Sequence, residues 1–390
     1  MLYFDHNATT FVAPEVADTL DRATRQVFGN ASSTHREGQQ ARQKLESARR
    51  TVADFIGAQA PEIVFTSGGT ESNNLAILGL VRNVENAHKH VVTTTVEHPS
   101  VLEACRQLER EGAEVTYAPV DASGIVDPEK IRASVRPTTV LVSVMHANNE
   151  TGGIQPVASI GQLVRELRRS GQNIFLHSDG VQAVGKIDVN VGEIGADLYS
   201  ISAHKVFAPK GIGALFVRKD TPVRGIQYGG RHERERRAGT ENVPAAMAFA
   251  RAVELWNVEE TQRVGALRDF FEAEVLSPLQ GEVEINGSTE ARLPNTSSLL
   301  FRGVSAEALV IALDMRGIAV STGSACSSGS VEPSHVLLAM GRTAHEARQS
   351  VRFSFGRYNT REDVETLIEA LIASVRKLRK TAKLQEQVFA

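Results

Sequence analysis

The chain has 390 residues, 42% hydrophobic and 23% charged, with a formal net charge of -3. That length suits two packed units better than one small core, and the near-neutral balance gives no electrostatic footprint for a nucleic acid or a membrane surface. Its two cysteines, Cys105 and Cys326, lie far apart and cannot build a disulfide framework or a four-ligand zinc site, so no metal site is expected.

The opening MLYFDHNATT carries an acid at position 5 and no basic-then-apolar leader, which reads as a chain without a secretory signal. No apolar run approaches the ~20 residues that span a bilayer. Sparse cysteines suit a reducing compartment, so the expected location is cytoplasmic. Residues 35–57 set Ala41, Leu45, Ala48, Val52, Phe55 and Ile56 at spacings that mark an amphipathic helix closed by Gly57. EIVF then leads through Thr66-Ser67-Gly68-Gly69-Thr70 into a helical pattern. β-like runs follow as HVVTTTV, EVTYAPV, TVLVSVMH, NIFLHSD and DLYSIS, several of them separated by helical stretches such as SIGQLVRELRRSG.

Strands alternating with helices predict an α/β fold, a mostly parallel central sheet flanked by helices. The pattern runs to about residue 218. A loop-like stretch, 226–243, precedes a long helical segment from Pro244. VEINGS, NTSSLLF and the helical AEALVIALDMRG then predict a smaller α+β domain. The expected division gives residues 13–255 to the large domain, and residues 1–12 and 256–390 to the small one.

In open α/β sheets ligands sit outside the carboxyl ends of the strands. After EIVF, Gly68 and Gly69 open a helix, where bare N–H groups and a positive dipole end suit a phosphate. After VTTTV comes Glu97-His98-Pro99, and after LVSVMH comes Ala147-Asn148-Asn149-Glu150. After IFLH comes Ser178-Asp179-Gly180-Val181-Gln182, and after LYSIS comes Ala203-His204-Lys205. Singly, each has an ordinary explanation: a turn, a helix cap, a satisfied histidine, a solvated lysine. Together they place an anion loop, a histidine, an asparagine pair, an aspartate and a lysine at successive strand ends. That inventory suits pyridoxal 5'-phosphate, which needs a Schiff-base lysine, a carboxylate facing the pyridine nitrogen, a phosphate site and ring-edge hydrogen bonds. A neighbouring carboxylate keeps the ring nitrogen protonated, and the ring then withdraws electrons from a substrate Cα.

The two cysteines differ. Cys105, in SVLEACRQLERE, falls on a helical pattern with Val101, Leu102 and Leu108 and reads as a packing residue. Cys326, in STGSACSSGS, has no hydrophobic period around it. The stretch from Thr322 to Glu332 has few apolar anchors to offset its ordering entropy and is expected to be mobile.

HSDGVQAVGK followed by SISAHKVFAPKGIGALFVR resembles the class V branch of the fold-type-I pyridoxal phosphate enzymes. With FDHNATT, GNASSTH, FTSGGTESNN, EHPSV, MHANNETG, RAGTEN, TGSACSSG, EPSHVLLAMG and VRFSFGR, the chain is similar over nearly its whole length to cysteine desulfurases of the NifS/IscS type. The resemblance implies that Lys205 forms the Schiff base, that Asp179 faces the pyridine nitrogen, and that Gln182 and Asn149 bond the ring hydroxyl oxygen. It implies that His98 stacks on the ring and moves protons. Gly69, Thr70, Ser202 and His204 would hold the phosphate, joined by Thr240 from the second subunit of a homodimer. Arg352, aided by Asn30, would clamp the substrate carboxylate with its planar fork. Cys326 would accept sulfur from L-cysteine as a persulfide, releasing L-alanine, and pass it to an acceptor protein such as an iron–sulfur scaffold. A mobile loop would let one thiol serve both tasks. A selenocysteine lyase, or another class V pyridoxal phosphate enzyme, would share most of these residues; an aminotransferase has no need of Cys326.

Ala31 stands where the family pattern has Pro, Ala208 replaces a common Gly, and Arg231 replaces the third Gly of a run. None of these removes a group with a chemical role. RHERERR, residues 231–237, interleaves four arginines with Glu233 and Glu235 and has no aromatics for stacking. It reads as a salted loop at a dimer interface leading to Thr240, not as a nucleic-acid patch.

Overall fold

In the run Ile63-Val64-Phe65 all three side chains are buried, but alternate ones enter different apolar clusters. Period-two alternation with apolar residues in both phases requires a strand covered on both faces. The computed structural model describes residues 1–85, 88–323 and 332–389. Its strands are β1 (Leu2–Tyr3), β2 (Ile63–Thr66), β3 (His90–Thr94), β4 (Glu114–Ala118), β5 (Thr139–Ser143), β6 (Phe175–Asp179), β7 (Leu198–Ser202), β8 (Gly213–Val217), β9 (Val283–Ile285), β10 (Thr296–Phe301), β11 (Ile318–Ala319) and β12 (Ser350–Ser354).

Seven of them form one sheet in the order β2-β8-β7-β6-β5-β3-β4. The pairs from β7 to β4 are parallel, and β8 is antiparallel to both neighbours. Because β2 and β7 both oppose β8, β2 runs with the rest. The carboxyl ends of β2, β3, β5, β6 and β7 therefore share one edge. The helices Gly69–Val81 and Pro99–Arg110 cover one face, with Leu75, Leu80, Val101, Cys105 and Leu108 packed on Val64, Leu141 and Leu198. The helices Arg36–Phe55, Val157–Arg169 and Val243–Glu254 contribute to the core on the other face, where Leu45, Leu163 and Phe249 share a cluster with Phe65, Leu176 and Phe216. The helix expected over 35–57 begins one residue later, because His35 caps it: its Nδ1 accepts the Gly38 N–H at 3.3 Å.

A third cluster gathers Phe271, Leu299, Phe301, Phe353, Phe355, Leu367 and Leu371 around the antiparallel sheet β12-β10-β9. Phe4 belongs to it, while Ala13 and Val16 belong to the core of the large sheet. Residues 5–12 therefore bridge two cores. The short helix His335–Ala339 buries Val336 and Leu337, and these with Met340 join the large-sheet core.

The charged run 231–237 is more than a solvated loop. Glu233 is buried and accepts from both terminal nitrogens of the buried Arg49 guanidinium, Nη1 at 2.6 Å and Nη2 at 2.8 Å. It also accepts the Phe65 N–H at 3.0 Å. Glu233, Arg234 and Glu235 have φ of 45°, 56° and 64°. That left-handed turn costs about 1–2 kcal/mol per residue, and the buried pair offsets it. Farther along, Arg237 Nε donates to Glu71 Oε1 at 2.9 Å, which ties the loop to the helix that opens at Gly69. Glu233→Ala leaves the buried Arg49 with only the half-exposed Glu46, 3.1 Å from its Nε, as a carboxylate partner, so it should lower unfolding free energy by about 2–4 kcal/mol in urea titrations. A loss below about 0.5 kcal/mol, the surface range, would contradict this account.

Candidate active site

Asp179 ends β6 and is 5% exposed. Its Oδ2 accepts from Asn73 Nδ2 at 2.7 Å and its Oδ1 from the Val181 N–H at 3.0 Å. Asn73 also donates to Ser100 Oγ at 2.8 Å, and that hydroxyl lies 2.8 Å from His98 Nδ1. The Ser100 N–H donates to the same ring nitrogen at 3.1 Å. A nitrogen that accepts a backbone N–H carries no proton, so the neutral ring holds its proton on Nε2. Burial pushes His98 below the ordinary imidazole range; Asp179 opposes this, and Lys205 and His335 add to it. The residue after Asp179 has to be glycine: a Cβ on Gly180 would stand 2.0 Å from Tyr199 Cε1.

The helix Gly69–Val81 begins without a side-chain cap, after Gly68 at φ 152°. Ser202, at the end of β7, is buried and its Oγ has no hydrogen-bond partner. A Cβ on Gly68 would stand 3.6 Å from that hydroxyl, and one on Gly69 only 2.7 Å from Val181 Cγ2. A bare helix N-terminus beside an orphaned buried hydroxyl is a cradle for an anion. His204 meets Thr9 Oγ1 through Nδ1 at 3.0 Å. Burial and the cations Lys205, Lys210 and Lys186 push its pKa to about 4, so its ring is neutral at pH 7. Thr70 lies exposed in the first helical turn.

Lys205 closes the short turn that follows β7. Its Nζ donates to two main-chain carbonyls, Asn7 at 2.5 Å and Ala8 at 2.6 Å. Burial lowers its pKa to about 8, helped by Arg352 and opposed by Asp5 and Asp179. Gln182 is buried and donates Nε2 to the same Asn7 carbonyl at 2.9 Å. The Asn149 carbonyl accepts Asn7 Nδ2 at 3.2 Å and Arg352 Nη1 at 2.8 Å. Arg352, on β12 and 4% exposed, also gives Nη2 to Asp5 Oδ1 at 2.7 Å, while its Nε has no partner. One edge of the expected carboxylate clamp is therefore already held by a carboxylate of the chain itself.

Lys205, Asp179, His98, Gln182, Ser202, His204, the backbone of Asn149, and Arg352 thus come together. Asn30 and Thr240 are exposed and make none of the contacts that join the others; Asn30 Oδ1 accepts the Ser32 N–H at 2.8 Å. Cys326 lies outside the described residues. On either side of that segment, Gly323 and Ser334 meet one buried carboxylate: Ser334 Oγ donates to Glu150 Oε2, and a Cβ on Gly323 would stand 3.2 Å from the same oxygen. Cys105 is fully buried in its helix, and burial pushes its thiol up to about 12, in keeping with a packing role. Among the described residues, no group of three or more His, Cys, Asp or Glu side chains could hold a metal ion, and no helix is long and apolar enough to cross a membrane.

Sequence reasoning missed Asn7, Asn73 and Ser100. Asn73 had only a weak signal, because it stands in the polar first turns, Thr70 to Asn74, of a helix that turns apolar from Leu75 on; once buried, its amide has to find partners. Asn7 had little, because its partners are scattered over the whole chain.

The profile of the family described as Aminotransferase class-V matches residues 2–367. Among curated proteins, the chain is 43% identical over 389 residues to "Cysteine desulfurase IscS" of Dictyoglomus turgidum, covering 99% of this chain and 97% of that protein. It is 44% identical over 396 residues to the protein of the same name from Anaeromyxobacter dehalogenans, covering 99% and 95%. Among solved structures, a "NIFS-LIKE PROTEIN" superposes with TM-score 0.87 at 35% identity, covering 98% of this chain and 99% of that one. "SspA in complex with cysteine" superposes with TM-score 0.81 at 34% identity, covering 92% and 100%.

The hydrogen bonds to Nδ1 make a spectroscopic prediction. Nitrogen-15 spectra should show His98 as the Nε2–H tautomer at pH 7, titrating below the ordinary value of about 6.5. An imidazolium at pH 7 would contradict the geometry.

Proposed function

The chain belongs to the class-V aminotransferase family, and on that premise we propose that it is a pyridoxal 5'-phosphate-dependent cysteine desulfurase. The relatives described above carry that activity in their names over nearly their full length. The observation that carries the reading is the pairing of two neighbouring parallel strands: β6 ends in the buried Asp179, and β7 runs into Ser202 and Lys205.

The residues fit the cofactor. The orphaned Ser202 Oγ and the uncapped helix at Gly69 suit its phosphate, with Thr70 and His204 beside them. The Asp179 carboxylate, held by Asn73, suits a protonated ring nitrogen. His98 suits the ring face, and Gln182 and Asn149 the ring hydroxyl. When bound, the cofactor supplies an electron sink that labilises the Cα proton and the sulfur of its substrate.

The chain's own residues do the rest. Lys205, with a pKa near 8, has a substantial neutral fraction at physiological pH and can take a proton from Cα. Arg352 and Asn30 bind the carboxylate of L-cysteine. The Cys326 thiolate attacks the substrate sulfur. A sulfur–sulfur bond forms and the carbon–sulfur bond breaks; its electron pair goes to carbon, which gains a proton to become alanine. The persulfide on Cys326 then passes its outer sulfur to an acceptor protein, as in iron–sulfur cluster assembly. A homodimer brings Thr240 of each subunit to the other's phosphate. Tyr228, 94% exposed just before the arginine run, and Phe28, 74% exposed two residues before Asn30, are large apolar side chains that a covering partner would bury.

Incubation with L-cysteine and a thiol reductant should release alanine and sulfide in equal amounts. Cys326→Ser should lose sulfide production by at least about a hundredfold, and Cys105→Ser should retain it. Loss in the Cys105 variant with retention in the Cys326 variant would overturn the assignment of the two thiols.

A further inference from the structure

Lys186 lies in none of the roles above, yet it is a buried lysine in the loop that follows Asp179. Its Nζ donates to Asn7 Oδ1 at 2.9 Å and, in a shorter contact, to Gln182 Oε1. Both acceptors are neutral amides. A buried ammonium ordinarily needs a carboxylate, and neither of these partners is one. The charges that face it are cations: Lys205 and Arg352 join burial in pushing Lys186 well below the ordinary lysine range. Burial lowers His6 and His204 to about 4, and Lys186 adds to the lowering of each. The Lys186 nitrogen has an N–H for each of these two acceptors.

The consequence falls on Gln182. An amide side chain can turn over, exchanging Oε1 and Nε2. Here Oε1 faces the Lys186 amine, and Nε2 faces the Asn7 carbonyl. Turning the amide over would take the acceptor away from the Lys186 N–H on one side and set oxygen against oxygen on the other. Nε2 has a second hydrogen, which the Asn7 bond does not use. We propose that Lys186 is a positioning residue that fixes the turn of the Gln182 amide, so that Gln182 presents an N–H, and not a carbonyl oxygen, to the ring hydroxyl oxygen of the cofactor. This rests on the reading of Gln182 as a cofactor contact. An N–H there stabilises an ionised ring oxygen, whereas a carbonyl would repel it. Asn7 alone leaves the amide held at one end. Lys186 supplies the other end, and its burial excludes the water that would otherwise compete.

The test is a spectrophotometric pH titration of the bound cofactor's visible absorption in four proteins: the parent, Lys186→Met, Gln182→Ala and the double variant. Gln182→Ala should raise the midpoint by about one unit, a tenfold change in proton affinity. Lys186→Met should raise it in the same direction by at least half as much, and should add nothing when Gln182 is already Ala. No shift in Gln182→Ala would remove the reading of Gln182. A shift in Gln182→Ala with none in Lys186→Met would overturn the role of Lys186 alone. Equal shifts from Lys186→Met in both backgrounds would mean that its charge acts directly through space, and would also overturn the positioning role. Should Lys186→Met not fold, Lys186→Gln keeps a donor on a shorter stem and carries the same comparison with a smaller shift.

Discussion

Lys205, Gln182, Lys186 and the Asn149 backbone are all hung from one asparagine. The Asn7 N–H reaches Ser354 Oγ; its carbonyl takes Lys205 and Gln182; its Oδ1 takes Lys186 and Asn295; its Nδ2 gives to Asn149 O and Thr296 Oγ1. Those seven contacts use every donor and acceptor the residue has. A buried polar network is costly when half satisfied and rigid when complete. Here it is complete at its centre, and it spans the gap between the large-sheet core and the cluster around β12-β10-β9. The N-terminal segment is thus a strap whose ends lie in two different cores, with its middle forming the back wall of the site.

The charge distribution follows from that wall. Lys205, Lys186 and Arg352 crowd together, with Asp5 and Asp179 as the neighbouring anions. Burial first, and then repulsion from neighbouring cations, lowers both lysines, so Lys205, at about 8, is available as a base near neutral pH without a dedicated partner to deprotonate it. Burial, helped by Lys205, lowers both His98 and His204, which leaves their rings as neutral hydrogen-bonding groups at pH 7. A pocket with this balance favours anionic guests, and a phosphate and a carboxylate are two such guests. Asp5 limits the effect at Arg352, whose guanidinium is already half committed to it.

Much of this was legible in the sequence, for physical reasons. Strands covered on both faces produce unbroken apolar runs, and the residues that follow them are constrained by turn and ligand, so His98, Asp179 and Lys205 stood out. The antiparallel course of β8 between β2 and β7 did not, because periodicity reports burial and carries no direction. Glu233 looked like a surface charge among arginines, since only the fold reveals that Arg49 waits inside. Asn7 and Lys186 carry no legible task in the sequence, because their partners come from segments that sequence spacing cannot relate. Asp5 and Arg352 meet across 347 positions of chain.

The central claim is that Lys205 is the residue that holds the cofactor. The direct measurement is borohydride reduction of the cofactor-loaded protein, followed by proteolysis and mass mapping of the label. The account predicts a single labelled peptide with the added mass on Lys205. A label on Lys186, the neighbouring buried amine, or on exposed Lys210, would contradict it.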